Sequence, residues 1–260
     1  LMAPADAERI LRLIADHAGE VITRDRPLIA ATLPGSGERV QGVYMPVSAT
    51  PCFSIRKRPE VIFTLEDYVS EAIMTSSQAD VLRAAAGKRA NILIAGGTGS
   101  GKTTLANAIL ALPAFADDRV ILIEDTAELQ CAAADQLALL TRKTEPVVTM
   151  AELVRAALRL RPDRLVIGEV RDGSALDLLK AWNTGHPGGL ATLHANSAEE
   201  ALARLEDLIA EVAPRPPRRA IGQAVDLIAF LKRAPRGRVL EAIVGVEGWV
   251  EGGYCLRPLG

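Results

Sequence analysis

Short apolar runs alternate with helical patterns along most of the chain after residue 90. The runs consist almost wholly of aliphatic residues and cover residues 91–95, 120–123, 165–167 and 190–193. Continuous apolar strands separated by helical segments are typical of a parallel sheet with helices on both faces. The pattern therefore predicts an α/β domain with a mainly parallel sheet.

The first ninety residues are patterned differently. Residues 5–18 have apolar positions at helical spacing and predict an amphipathic helix that Gly19 ends. Residues 20–63 contain short β-prone segments among prolines and glycines, at residues 39–44, 52–56 and 61–63. Helical patterning returns at residues 64–87. We predict a small N-terminal α+β domain (residues 1–60), a linker with helices (61–90) and a core domain (91–260).

Two later helices have marked starts, and the C-terminal tail has a β pattern. Thr149 with Glu152 and Ser197 with Glu200 form capping boxes, each followed by leucines at helical spacing. Pro162 is expected to end the first of these helices. The tail from residue 226 to residue 256 predicts a β-hairpin region with a turn at residues 235–237.

Composition excludes several classes of protein. Of the 260 residues, 49% are hydrophobic, which argues against disorder, and 30 basic side chains against 32 acidic ones give no sign of nucleic-acid binding. The three cysteines are far apart, which favours a reduced compartment. No apolar run approaches the ~20 residues that span a bilayer, and no signal peptide is recognisable. A cytoplasmic protein is expected, with peripheral membrane association possible.

The strongest motif is the loop after the strand at 91–95. It follows the pattern G-x-x-x-x-G-K-T over residues Gly96, Gly97, Thr98, Gly99, Ser100, Gly101, Lys102 and Thr103, with Thr104 next. Glycines let backbone N–H groups curl around phosphate oxygens, and the following helix presents its N-terminus to the anion. Lys102 is expected to reach the β- and γ-phosphates and the Thr103 hydroxyl to bind magnesium. The loop predicts binding of ATP with Mg²⁺.

Carboxylates follow two of the predicted strands. The strand at 165–167 ends in Gly168-Glu169, where an ordinary ATPase has an aspartate that holds magnesium. A glutamate at this strand end can orient and deprotonate the attacking water. The strand at 120–123 is followed by Glu124, Asp125 and Glu128, which are candidates to replace the missing aspartate around the metal. Ligands of open α/β sheets bind at this edge.

One histidine and several arginines complete the set of candidates. His194 ends the strand at 190–193, where it could contact the γ-phosphate or Glu169. His186 is interpreted as a turn residue. Positive charge for the transferring phosphate could come from any of five arginines, and the sequence alone does not choose among them: Arg56, Arg58, Arg159, Arg161 and Arg171.

Four ordered blocks resemble the secretion ATPase superfamily, which includes type II secretion ATPases, pilus retraction ATPases and the VirB-type ATPases of type IV secretion. The blocks are residues 96–103, 123–129, 158–171 and 185–196. The glycine-glutamate ending of the third strand is typical of this family. Further segments are most similar to the conjugal transfer ATPases, with the Tad-type pilus ATPases as the nearest rival: residues 63–69, 128–133 and 178–189.

The resemblance implies a RecA-like ATPase core and a role for each matching residue. Glu169 is the implied catalytic carboxylate, His194 belongs to a histidine box, and Arg161 and Arg56 are implied to approach the nucleotide. The implied acidic box that positions metal and water consists of Glu124, Asp125 and Glu128. The family assembles as hexameric rings that serve inner-membrane secretion or conjugation machinery.

Three functional readings remain open from the sequence. The first is a hexameric ATPase that powers secretion, conjugal transfer or pilus assembly. The second is an assembly module that changes shape on binding ATP with little hydrolysis. The third is a nucleic-acid translocase, which the balanced net charge disfavours.

Overall fold

The computed structural model describes residues 2–33, 35–57, 61–142, 145–235 and 237–260. The chain divides into two compact units, Leu1–Val61 and Ile62–Gly260. Each unit has its own sheet and its own hydrophobic core. Among the described residues, no helix is both long and apolar enough to cross a bilayer.

The smaller unit is a helix packed on a three-stranded antiparallel sheet. It contains α1 (Pro4–His17), β1 (Leu28–Thr32), β2 (Arg39–Val43) and β3 (Cys52–Arg56), in the sheet order β1-β2-β3. Leu11 and Ile14 of α1 pack with Ile29 and Val40 of the sheet. A Cβ on Gly42 would lie 2.2 Å from Leu11 Cδ2, so the missing side chain lets the helix approach the sheet.

The predicted helix and the strands β2 and β3 are confirmed, whereas one observed strand was missed and one predicted strand is wrong. β1 was not predicted. Residues 61–63 form no strand, because they lead into the capping box at Thr64, whose side chain accepts from Asp67 N–H. Phe63 packs edge-on against Tyr68, with ring centroids 5.4 Å apart. This contact between the residue before the cap and the helix's first turn directs the chain into a helix.

The larger unit is built on an eight-stranded sheet in the order β11-β10-β9-β4-β8-β7-β5-β6. The strands from β9 to β6 in this order run parallel, and β9, β10 and β11 form two antiparallel hairpins. The strands are β4 (Ile92–Gly96), β5 (Arg119–Glu124), β6 (Asp135–Leu140), β7 (Arg164–Val170), β8 (Leu190–Leu193), β9 (Leu227–Ala234), β10 (Gly237–Val250) and β11 (Gly253–Leu259).

Helices cover both faces of this sheet. Alternate residues of β4 point to opposite faces, so Leu93 packs with α5–α8 whereas Ile92 and Ile94 pack with α2–α4. The helices are α2 (Leu65–Ser70), α3 (Ser76–Gly87), α4 (Lys102–Leu110), α5 (Met150–Ala157), α6 (Ala175–Asn183), α7 (Ala198–Ala210) and α8 (Arg218–Ala224). The predicted α/β class with a mainly parallel sheet is confirmed.

The remaining differences from the predicted elements lie at edges and ends. β6 was missed because it is an edge strand whose residues are mostly exposed, so it lacks a continuous apolar run. α5 ends at Ala157, and a 3₁₀ turn at Leu158–Leu160 follows, so the helix ends before Pro162. The predicted tail is a pair of hairpins. Arg236 in the predicted turn, like Arg58 among the candidate arginines, lies outside the described residues.

Candidate functional site

The glycine-rich loop leaves the sheet beside His194. Ala95 of β4 pairs with Leu193 of β8, so Gly96 and His194 are the next residues on two neighbouring strands. Gly99 and Gly101 have φ values of 69° and 100°, a region that side chains with a Cβ rarely adopt. The glycines therefore allow the tight turn that connects β4 to α4.

The loop has the features of an anion cradle. Gly101 is the N-cap of α4 and has no side chain to accept from the first N–H groups of the helix. The Ser100 hydroxyl is buried, and no described atom forms a hydrogen bond with it. A phosphate would satisfy these donors and complement the positive end of the helix dipole. The residues present therefore fit a nucleotide phosphate.

Lys102 is folded over the loop. Its side chain is buried, and Nζ donates to the carbonyl oxygens of Gly96 at 2.9 Å and Gly97 at 3.1 Å. Burial lowers the pKa of Lys102, while the nearby charge of Glu169 opposes this shift. A cation held by neutral partners next to an acid is placed to exchange these partners for phosphate oxygens.

Glu169 is directed to the loop by an irregularity in β7. Ile167 pairs with Ala191 and Val170 with Leu193, so β7 has one more residue than β8 between these pairs. Such bulges change the direction of side chains next to active sites. Glu169 Oε1 lies 2.8 Å from His194 Nε2, and Arg171 binds the other carboxylate oxygen. The predicted carboxylate and histidine are thus neighbours beside the loop.

Gly168 provides space for the acidic segment of the neighbouring strand. A Cβ on Gly168 would lie 2.8 Å from Glu124 Cγ. The buried Glu124 carboxylate accepts from the backbone N–H groups of Glu128 at 2.9 Å and Leu129 at 3.0 Å through one oxygen, Oε1. The glycine at the usual aspartate position is therefore a packing requirement, and Glu124 shapes the segment that carries Glu128.

Asp125 lies between a threonine and an arginine. Its Oδ1 accepts from the Thr141 hydroxyl at 2.8 Å, and its Oδ2 lies 3.4 Å from Arg171 Nη1. Arg171 thus joins Asp125 to Glu169, and its hydrogen bond with Glu169 raises its own pKa. Among the described residues, no three His, Cys, Asp or Glu side chains form a cluster that could hold a metal by themselves. Mg²⁺ ordinarily binds with several waters and substrate phosphates, so no such cage is required.

His194 is half-exposed and electrostatically favoured in its neutral form. Burial lowers its pKa, Lys102 adds to this effect, and Glu169 opposes it. Both ring nitrogens lie 3.4 Å from Lys102 Nζ. The 2.8 Å approach of Nε2 to Glu169 Oε1 is an electrostatic contact and not a well-aligned hydrogen bond, since that buried oxygen has no hydrogen-bond partner among the described residues.

A cavity of about 550 Å³ opens beside this cluster. It is bordered by Gly97, Thr98 and His194 and, on α7, by the charged side chains of Glu200, Arg204 and Asp207. The loop and the histidine therefore face open space at the carboxyl edge of the parallel strands, where α/β sheets bind ligands.

Not every predicted site residue joins this cluster. Thr103 and Thr104 lie in the first turn of α4, next to the loop. Arg161 follows the 3₁₀ turn, three residues before β7 begins at Arg164, at the opposite edge of the sheet and about 20 Å from the loop by the length of the strand. Arg159 lies in the 3₁₀ turn at that same edge. His186 is at this edge too, because its Nδ1 lies 3.0 Å from Pro162 O. Arg56 is exposed at the end of β3 in the smaller unit.

For two residues, the sequence alone did not indicate a position in the candidate site. Arg171 was one of five equivalent arginines, and only the structure shows it between Asp125 and Glu169. Asn107 of α4 was not singled out. Its side chain donates to Glu128 O and accepts from Gln130 N–H, so it fixes the acidic segment on the helix. A polar residue in the otherwise apolar second half of α4 was the available signal.

Taken together, a mainly parallel sheet with a phosphate loop after one central strand and a glutamate after another defines a RecA-like fold of the ATPase class. Comparison with known proteins agrees. The family model described as "Type II/IV secretion system protein" matches residues 27–234. The chain therefore belongs to the type II/IV secretion system protein family, and the resemblance drawn from the four sequence blocks is confirmed.

The chain is also similar to individual proteins named as conjugal transfer and type IV secretion proteins. Conjugal transfer protein TrbB of Rhizobium radiobacter is 47% identical over 255 residues, which cover 97% of this chain and 78% of the relative. Type IV secretion system protein VirB11 of Bartonella henselae is 33% identical over 241 residues, covering 78% and 67%. The crystal structure of the VirB11 ATPase from Brucella suis superposes with a TM-score of 0.59 at 29% identity, covering 91% and 80%.

Proposed function

We propose that this protein hydrolyses ATP, with Mg²⁺, to power a type IV secretion or conjugal transfer system. The observation that carries the proposal is the meeting of Lys102, Glu169 and His194 at one end of the phosphate loop, with the Lys102–His194 and His194–Glu169 contacts at 3.4 Å and 2.8 Å. A cation for the phosphates, a general base and a neutral histidine are what hydrolysis at this position requires. Relatives named as conjugal transfer and type IV secretion proteins support the biological role.

In the proposed hydrolysis, each side chain around the loop has a separate role. Lys102 exchanges its two carbonyl partners for β- and γ-phosphate oxygens and neutralises charge as it develops there. Glu169 orients the attacking water and takes its proton, and His194 holds the carboxylate on one side. Arg171 holds it on the other side and is placed to exchange Glu169 for a phosphate oxygen.

The metal would be held near the first turn of α4. Magnesium supplies charge neutralisation between the phosphates when it is bound. The Thr103 hydroxyl is the candidate direct ligand, because it lies one residue beyond Lys102 at the start of α4. We propose that Asp125 and Glu128 act through water, while Glu124 holds the shape of the acidic segment through the backbone N–H groups that it binds.

We further propose that the protein works as a hexameric ring at the inner-membrane face of the secretion machinery. Arg161 supports an assembly of this kind, because in its own subunit it lies at the edge opposite the loop and could act only on a neighbouring subunit. Arg56 is proposed to contribute from the N-terminal unit. Particle images in the presence of a non-hydrolysable ATP analogue should show six-fold rings, and exclusively monomeric particles would contradict this assembly.

Hydrolysis is tested by Glu169→Gln, which keeps the shape of the side chain but removes the base. We expect phosphate release to fall by about a hundred- to ten-thousand-fold, with ATP affinity unchanged or higher. Lys102→Ala should lower ATP affinity itself, since it removes the phosphate cation. Glu199→Gln, on the exposed first turn of α7 and outside the cavity lining, is the matched control and should leave both quantities near wild type. Near-normal turnover in Glu169→Gln would refute the assignment of the base.

An assembly module that binds ATP with little hydrolysis is the second candidate. It is favoured by one observation: both Glu169 oxygens already face partners, His194 and Arg171. If these contacts persisted with ATP bound, fewer lone pairs of the carboxylate would remain for the attacking water. Steady-state phosphate release that is equal in the wild type and Lys102→Ala would support this candidate over the motor.

A further inference from the structure

The β9–β10 hairpin covers the outer side of the phosphate loop. A Cβ on Gly96 would lie 2.3 Å from Leu231 O of β9, and a Cβ on Gly101 would lie 3.1 Å from Arg238 Cδ of β10. The Arg238 Nε donates to Gly99 O at 3.3 Å. The loop therefore rests on this hairpin at two points, and one of them is a cation that does not belong to the phosphate-loop motif.

Arg238 lies opposite a second arginine. The antiparallel register pairs it directly with Arg233 of β9. Like charges at directly opposite positions are destabilising, and no described carboxylate forms an ion pair with either side chain. Lys232, the next residue along β9, is instead neutralised by Glu241. The hairpin thus keeps an uncompensated positive charge next to a loop built for anions.

The direction of a bound nucleotide follows from the sheet order. Glu169 lies in β7 and His194 directly follows β8, on one side of β4, whereas the hairpin begins with β9 on the other side. The reacting γ-phosphate must lie at the side of Glu169 and His194. An extended chain of phosphates across the loop therefore places the α-phosphate and the nucleoside on the side of β9 and Arg238.

Aromatic side chains lie near Arg238. Tyr68 is buried and packs edge-on against the partly exposed Phe63. Burial raises the pKa of the Tyr68 phenol, and the positive charge of Arg238 opposes this shift. Arg238 therefore lies within electrostatic range of the Tyr68 phenol, which is itself buried.

We propose that Arg238 is a nucleotide-binding residue that recognises the α-phosphate side of the bound nucleotide. The inference rests on the nucleotide binding proposed above and adds a residue from outside the loop motif. The bond of Arg238 to Gly99 O is long and neutral at the acceptor, and the side chain is exposed. It can therefore be exchanged for a hydrogen bond to a phosphate oxygen, an ionised acceptor with which Arg forms short and strong bonds.

The test compares two ligands, ADP and inorganic pyrophosphate, which both occupy the phosphate loop but differ in whether they reach Arg238. ADP carries an α-phosphate and a nucleoside, whereas inorganic pyrophosphate has neither and competes for the loop. Dissociation constants for ADP, and inhibition constants for pyrophosphate in competition with fluorescent ADP, are measured for wild type, Arg238→Gln, Arg238→Lys and Lys232→Gln. Lys232→Gln removes one charge from the same hairpin on the opposite face of the sheet. Circular dichroism confirms that each variant is folded.

We expect Arg238→Gln to weaken ADP binding by about tenfold, Arg238→Lys to recover most of the loss, and Lys232→Gln to bind like wild type. Pyrophosphate inhibition should be nearly equal in all four proteins. An equal loss for ADP and pyrophosphate would show that Arg238 only shapes the loop, and unchanged ADP binding would also overturn the inference. Wild type that fails to bind ADP would refute the proposed function instead.

Discussion

At the centre of the candidate site, Gly168 stands where an ordinary ATPase has an aspartate, and Glu169 is the next residue. In this chain a side chain at position 168 would meet Glu124, and the carboxylate stands one residue later, at Glu169. The extra residue in β7 accompanies the approach of this carboxylate to His194. Single residues therefore decide which strand position carries the carboxylate beside the loop.

Replacing Gly168 by alanine tests this packing argument. The added Cβ would lie 2.8 Å from Glu124 Cγ, so Glu124 must shift and release the N–H groups of Glu128 and Leu129. We expect a loss of about 1–3 kcal/mol in the free energy of unfolding and a fall in phosphate release. Urea unfolding followed by fluorescence of the buried Trp182 measures the first quantity.

Gly87→Ala is the control for that substitution, because its added Cβ meets nothing within 4 Å. It should change stability by less than about 1 kcal/mol, in the stabilising direction. If Gly168→Ala were as stable and as active as this control, Glu124 would have no role in shaping the site.

The neutral state of His194 predicts a pH dependence of stability. Its pKa in the folded protein is below the ordinary value of 6.5, chiefly because of burial and Lys102, with Glu169 opposing and Arg171 and Arg204 adding to the shift. Between the two pKa values the unfolded chain binds more protons, so the free energy of unfolding must rise with pH in that window. Denaturant titrations at about pH 5 to 7 should show this rise in wild type. His194→Gln should show a smaller rise, and an identical slope would contradict the shift.

At the scale of elements, local capping sets where helices begin, whereas long-range contacts set where α5 ends and where β6 lies. Thr64, Thr75 and Thr149 each begin a helix with a complete capping box, and these boxes need only residues three positions apart. The end of α5 and the position of β6 depend instead on what surrounds them. β6 lies at the sheet edge, where exposure removes the apolar pattern that identifies the inner strands.

Thr149 provides the test at this scale. Its hydroxyl accepts from Glu152 N–H at 3.2 Å, and the Glu152 carboxylate accepts from Thr149 N–H at 2.8 Å. Thr149→Ala should lower the free energy of unfolding by about 1 kcal/mol, whereas Thr149→Ser keeps the hydroxyl and should remain close to wild type. Thermal unfolding of both variants measures the difference, and equal melting temperatures would show that the cap contributes nothing.

At the scale of the larger unit, a buried arginine joins elements that are distant in the chain. Arg164 starts β7, stacks on Phe115 and pairs with Asp118 at 2.5 Å. Its guanidinium also donates to the carbonyl oxygens of Ala86, Ala114 and Gly188. These contacts connect α3, the turn after α4 and the loop before β8 at the sheet edge opposite the phosphate loop.

Removing this arginine should therefore cost stability without changing the nucleotide site. We expect Arg164→Met to lower the free energy of unfolding by about 3 kcal/mol or more, because three carbonyls lose their donor and Asp118 keeps only Arg89 as a partner. Arg119→Ala, which breaks an exposed pair with Asp135, should cost less than about 1 kcal/mol. Calorimetric Tm values and ADP affinity are the measurements. A large loss of ADP affinity in a folded Arg164→Met would contradict the separation of the two regions.

The sequence by itself determined whatever depends on near neighbours in the chain. Residues 91–95 followed by Gly96–Thr103 predicted a strand, an anion loop and a helix, because these features need only local periodicity, glycine conformations and a helix N-terminus. The inner strands and the capped helices were predicted for the same reason. The motif blocks also predicted the family and placed Glu169 and His194 at strand ends, since residues after parallel strands meet at one edge of the sheet.

The tertiary structure decided whatever depends on the strand order and on partners far away in the chain. It separated Arg171, which contacts Glu169 and Asp125, from Arg159 and Arg161 at the opposite edge. It also placed Arg238, 139 residues beyond Gly99, on the phosphate loop. All of these arginines have the same intrinsic charge, and no local pattern tells them apart. Their roles differ because a sheet brings together residues according to the order of its strands and not according to their distance along the chain.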